Sequence, residues 1–133
     1  MSTGEWIPED KALQSLNTEA LKRLAQISNG EKLPALKDEL TPQEQTGLAT
    51  AMQANREQWQ AAAEPLSDDE LVDLIKALAI AEMELPNCNL GARSVVIHIN
   101  RLLKQRGRTL DEETLLWLKR HSSNRFLPNG PVL

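Results

Sequence analysis

Apolar positions fall at intervals of three and four through most of this chain, the period of one face of an α-helix. The broadest run follows Ser67, where Leu71, Leu74, Ile75, Leu78, Ala79 and Leu85 form a stripe that Glu82 interrupts and that Val72, Ile80 and Met83 widen. A helix apolar over so much of its circumference belongs in the middle of a fold, so the pattern predicts a buried core helix over 68–85, stopped by Pro86. Leu48, Met52, Trp59 and Ala63, flanked by Ala49 and Ala62, predict one helix running from Thr41 to just before Pro65. Leu21, Leu24, Ala25 and Ile27 predict another, capped by Asn17 and closed by Asn29-Gly30, with a shorter turn through Leu33, Leu36 and Leu40. Val95, Ile99, Leu102, Leu103 and Arg106 put a helix at 92–106 with Gly107 as its stop, although 95–99 alone has the β-branched content of a strand. A last helix at 110–121 sets Leu110, Thr114, Trp117, Leu118 and His121 on one face.

Three of these segments open with Ser or Thr followed three residues later by Glu, the pattern in which hydroxyl and carboxylate satisfy each other's backbone amides. The sites are Thr41–Glu44, Ser67–Glu70 and Thr109–Glu112, and Pro42 stands at the first helical position of its segment, where a missing amide proton is no loss. The segment 86–91 reads as a loop from its Pro, Asn and Gly content. Residues 122–133 hold two prolines, a glycine and two asparagines and cannot stay helical. The expectation is an all-α fold: a single compact bundle of five or six short helices spanning 1–133, with a partly ordered segment at 1–16 and an irregular C-terminal tail at 122–133.

Composition sharpens this. With 133 residues, 41% hydrophobic and 26% charged, the chain can bury a core without metals or disulfides. The aromatic residues are Trp6, Trp59, Trp117 and Phe126, too few for a base-stacking nucleic-acid platform and poor material for a sheet. No run approaches the ~18 apolar residues of a membrane span, and the first residues lack a secretory pattern. A single cysteine, Cys88, excludes an internal disulfide and fits a cytoplasmic location.

Charge is unevenly spread. Residues 1–91 hold seven Lys or Arg against sixteen Asp or Glu, a net of −9, while 92–133 hold eight against three, a net of +5. Arg101, Lys104 and Arg108 stand at i, i+3 and i+7 and are expected to share one basic face opposite the apolar stripe, with Lys119, Arg120 and Arg125 nearby in sequence. Such a face can be simply solvated or paired, with each exposed pair contributing only ~0–1 kcal/mol. It also suits an acidic protein surface or a phosphate backbone, because guanidinium groups match both. A helix-turn-helix reading of the helices before and after 86–91 fits poorly, because that connection is too long and the chain's pI is about 5.2.

Catalytic and cofactor motifs are missing: there is no Gly-rich phosphate loop, no HExxH, no paired-cysteine zinc pattern and no nucleophile elbow. Asp68, Asp69 and Glu70 are accounted for by a helix N-terminus without any metal. Cys88, ahead of a helix start and near Arg93, is a candidate low-pKa thiol with His98 or His121 as a base, although an incidental cysteine is the commoner case. Two stretches stand out for their side chains. Residues 85–94 are rich in groups suited to local hydrogen bonds, and 124–133 end in apolar residues that either tuck along the core or are offered to a partner's groove. The expectation is a non-enzymatic protein-interaction module without cofactor or metal, a cytoplasmic adaptor or regulator binding another protein through Arg93, Arg101, Lys104, Arg108, Arg125, Phe126 and Leu127. Nucleic-acid binding through Arg101, Lys104 and Arg108 is the alternative.

Overall fold

A computed structural model describes residues 16–29, 36–85, 88, 91, 94–124 and 127. Everything regular in it is helical: α1 (Thr18–Asn29), the single turn α2 (Leu36–Glu39), α3 (Pro42–Ala51), α4 (Arg56–Ala63), α5 (Asp68–Glu84), α6 (Val95–Gln105) and α7 (Glu112–His121). The central position goes to α5, as its apolar breadth requires. It packs against α1, α2, α6 and α7, while α4 bridges α1 and α6. Leu71, Leu74, Ile75 and Leu78 are wholly buried along it, each worth ~1.5–3 kcal/mol relative to exposure.

Caps set the helix starts. Thr41 and Ser67 form the expected reciprocal boxes, each with the Glu amide donating to the hydroxyl at 3.1 Å and the cap amide donating to the carboxylate at 2.9 Å. Asn17 accepts from the Ala20 amide at 2.9 Å and opens α1.

The structure departs from the sequence expectation in five places. The helix expected from Thr41 to Pro65 is two helices, broken at Met52–Asn55, where Asn55 and Gln58 form a further box with both bonds at 2.9 Å. Trp59 is fully buried beside the break, and its indole N–H donates to the Ala51 carbonyl at 2.9 Å. The helix expected at 92–106 starts at Val95 behind an Ser94 N-cap and ends at Gln105; residues 92 and 93 lie outside the described residues. Gly107 then takes φ 78°, with its amide donating to Lys104 O and that of Arg108 to Leu103 O, the paired bonds of a Schellman stop. Arg108 therefore leaves the helix, and the i, i+7 face with Arg101 does not form.

The other three departures concern single side chains. Arg106, expected on the apolar stripe, is the half-buried C-cap of α6. Its guanidinium donates to the carbonyls of Leu66 and Glu64, both at 2.8 Å, and to Asp68 Oδ1 at 3.1 Å, clamping the end of α6 to the α4–α5 turn. The α7 cap is Asp111 rather than Thr109, with the Thr114 amide donating to Asp111 Oδ1 at 2.7 Å. Capping at Asp111 puts buried Leu110 at N′ and Leu115 at N4, the positions of a hydrophobic staple, and both pack on the core. His121, expected with the core face of α7, is exposed, with its ring 4.3 Å from that of Trp117.

The Asp111 cap has a testable signature. The Thr114 amide holds the Asp111 carboxyl below its ordinary value of 3.8, so its contribution is present above that pH and is lost as pH falls through the lower folded value. Asp111→Ala is expected to lower the thermal midpoint at neutral pH, with the deficit fading under acid conditions, whereas Thr109→Ala leaves the midpoint unchanged at both. Paired melts of the two variants check this.

Candidate interaction surface

The exposed cations of α6 come from its last two turns, because its first half is committed to the core. Val95, Val96, Ile97, Ile99 and Asn100 are buried, whereas Arg101 and Lys104, one turn apart, are exposed. Lys104 also lies in the last turn, where a cation complements the negative end of the helix dipole. Beyond Gly107, Arg108 is 61% exposed in its side chain and stands 3.7 Å from Asp68 Oδ2, the carboxylate whose other oxygen holds Arg106.

The fold adds a cation that the sequence placed in the acidic half. His98 is half-buried on α6, and its pKa is lowered first by burial and then by Arg101 and by Arg56 of α4. Arg56 is exposed, 3.6 Å from its neighbour Glu57. Packing of α4 on α6, tied by a bond from Gln60 Nε2 to the His98 carbonyl at 3.3 Å, thus brings Arg56 toward Arg101. No local signal announces this, since the two residues are distant in sequence. With its pKa below the ordinary 6.5, the His98 ring is neutral near pH 7 and adds no charge.

Of the other expected interaction residues, Arg93, Arg125 and Phe126 lie outside the described residues, as do residues 1–15 and 128–133. Leu127 is half-buried and packs against the core, so at this position the tail is tucked. Lys119 and Arg120 are exposed on α7.

Two further sites bear on chemistry. Cys88 is 1% exposed, and its thiol is pushed up to about 11 by burial and then by the charge of Glu82, the reverse of the activation expected beside a helix start. A cleft of about 320 Å³ opens between α1 and α3, with Leu16, Leu24, Leu40, Leu48 and Trp59 among its lining residues. Its charged groups, Arg23 and Glu44, are bonded to each other, and Arg23 also donates to the Glu39 carbonyl at 2.8 Å. Arg23 and the Thr41 amide hold the Glu44 carboxyl below the usual carboxylate range, which makes it a poor proton acceptor. Among the described residues no group of His, Cys, Asp and Glu is arranged to hold a metal ion, and no helix is long and apolar enough to cross a membrane. Compared with the models of known protein families, with curated proteins and with solved structures, the chain matches none.

Proposed function

We propose that this protein is a non-enzymatic helical interaction module that presents the C-terminal end of α6 to an acidic surface on another protein, as an adaptor or regulator in the cytoplasm. The observation that carries the reading is the exposure of Arg101, Lys104 and Arg108 around the end of one helix, on a chain whose net charge is −4. The Arg108–Asp68 pair is long and exposed, and such a pair contributes only ~0–1 kcal/mol, so a partner's carboxylate can replace it at little cost.

An acidic protein is favoured over nucleic acid by the way α6 is seated. A helix-turn-helix reads bases with the N-terminal residues of its second helix. Those residues of α6 are buried, and residues 85–94 separate it from α5. The alternative that remains is contact with phosphates through the same cations, without groove reading.

Both readings are tested by changing Arg101, Lys104 and Arg108 together to Gln and comparing capture from lysate with and without nuclease. A protein captured by the wild type in both conditions, and reduced about tenfold or more in the variant, is the expected result. Capture that disappears on nuclease treatment, with a salt-sensitive shift of DNA or RNA by the wild type, would transfer the assignment to nucleic acid. Equal capture by the variant would overturn both.

A further inference from the structure

Arg56 comes from the acidic half of the chain and Arg101 from the basic half, and the fold brings both to one histidine. On α4, Arg56 and Gln60 stand at i and i+4; on α6, His98 and Arg101 stand at i and i+3, so each pair shares a helix face. The bond from Gln60 Nε2 to the His98 carbonyl, at 3.3 Å, lays these two faces together. Both guanidinium groups act on the His98 ring, whose pKa is lowered first by burial, then by Arg101 and then by Arg56, against the opposing charge of Glu57. Arg101 is exposed and has no hydrogen bond or ion pair with another described residue. Arg56 is 47% exposed in its side chain and stands 3.6 Å from Glu57, itself 73% exposed. An ion pair so long and so open to water contributes little and exchanges readily.

We propose that Arg56 and Arg101 together bind a phosphoryl group carried by a serine or threonine of the partner protein, a site that rests on the reading of the α6 end as a partner surface. Two like charges held near one ring repel each other, and Glu57 offsets only one of them. A phosphomonoester is close to a dianion at neutral pH and has three acceptor oxygens, so guanidinium groups arriving from two helices can both donate to it. A carboxylate carries one charge, and a single guanidinium fork satisfies both of its oxygens. On Arg56 it would only replace Glu57. A nucleic-acid backbone likewise offers one charge at each phosphate.

The chain has two histidines, so their imidazole NMR signals report on the site: His98 lies with the two arginines, and His121, exposed on α7, is the control. The full chain is titrated at low salt and about pH 7.5, above the second phosphate ionisation. The probes are a short peptide bearing one phosphoserine, the same peptide with glutamate in its place, and a single-stranded oligonucleotide. The phosphopeptide is expected to shift the His98 signals saturably and leave those of His121 in place, with the glutamate peptide at least about tenfold weaker. The bound dianion is also expected to raise the His98 pKa, because it offsets the guanidinium charges. Arg56→Gln and Arg101→Gln are each expected to weaken the phosphopeptide about tenfold, whereas Glu57→Gln, which removes the competing carboxylate, tightens it about threefold. All three residues are exposed, so these changes leave the core intact. Equal affinity for the two peptides, unaltered affinity in Arg56→Gln, or no response of His98 to the phosphopeptide would each overturn the phosphoryl site. So would an oligonucleotide that binds at His98 more tightly than the phosphopeptide. The broader reading of an acidic partner is decided separately, by capture with the triple Gln variant, in which Arg56 is unchanged.

Discussion

Trp59→Ala is expected to lower the unfolding free energy by about 3–5 kcal/mol, the range for truncating a large buried aromatic. The side chain is fully buried where α4 meets the core, and its removal leaves a cavity that the surrounding helices can only partly close. It also joins two helices that the sequence pattern merges. The Ala51 carbonyl, at the end of α3, accepts both the Ala54 amide at 2.9 Å and the indole N–H at 2.9 Å. Trp59→Phe retains most of the volume and leaves that carbonyl one of its two donors, so its expected cost is about 1 kcal/mol. Denaturant titrations of both variants separate packing from hydrogen bonding. A loss under about 1 kcal/mol for Trp59→Ala would mean that the ring is not in the core.

Arg106→Ala carries the second large expected loss, about 2 kcal/mol. The guanidinium satisfies two backbone carbonyls and a carboxylate at a turn some forty residues earlier, and its side chain is 22% exposed. A hydrogen bond to a charged group contributes about 1.5–3 kcal/mol, but Glu64 is exposed and water can take over its carbonyl, so the three bonds do not add. Arg106→Lys keeps the charge and loses the fork, since one ammonium cannot reach two carbonyls and Asp68 in the same geometry. It is therefore expected to recover less than half of the loss. Equal stability of Arg106→Lys and wild type in urea would show that charge alone makes the clamp.

These two residues also mark where the sequence was legible and where it was not. The central helix could be read because its apolar stripe and its Ser67–Glu70 cap agree, and the structure places it at 68–84. The break at 52–55 was hidden because Met52 and Trp59 are seven residues apart, two helical turns, so the stripe keeps its period across the interruption. Asn55 and Gln58 were the available signal: a capping box with amides in place of hydroxyl and carboxylate. The α7 start was ambiguous because Thr109 and Asp111 both head a plausible cap, and burial of Leu110 decides between them. Arg106 falls on the helical period, but its partners, Glu64, Leu66 and Asp68, are set by tertiary packing, for which no local pattern exists.

The surface was legible in part. Charge counting singled out Arg101, Lys104 and Arg108, yet Gly107 turns Arg108 off the helix toward Asp68, and Arg56 joins from the acidic half only through the packing of α4 on α6. Glu82 was visible as an interruption, and the side chains that bond its carboxylate, Ser94 and Asn124, lie in the two stretches whose composition drew notice, although bringing them together required the fold.

Site-specific photo-crosslinking tests the proposed surface most directly. Gln105 is exposed beside Lys104 and carries no charge, so a photo-crosslinking amino acid can replace it without removing a cation, and Gln43, exposed at the α1–α3 cleft, provides the comparison. Irradiation in lysate is expected to give a nuclease-resistant protein adduct from position 105 and none from position 43. An adduct from position 43 with none from 105 would contradict the assignment of the partner surface to the end of α6.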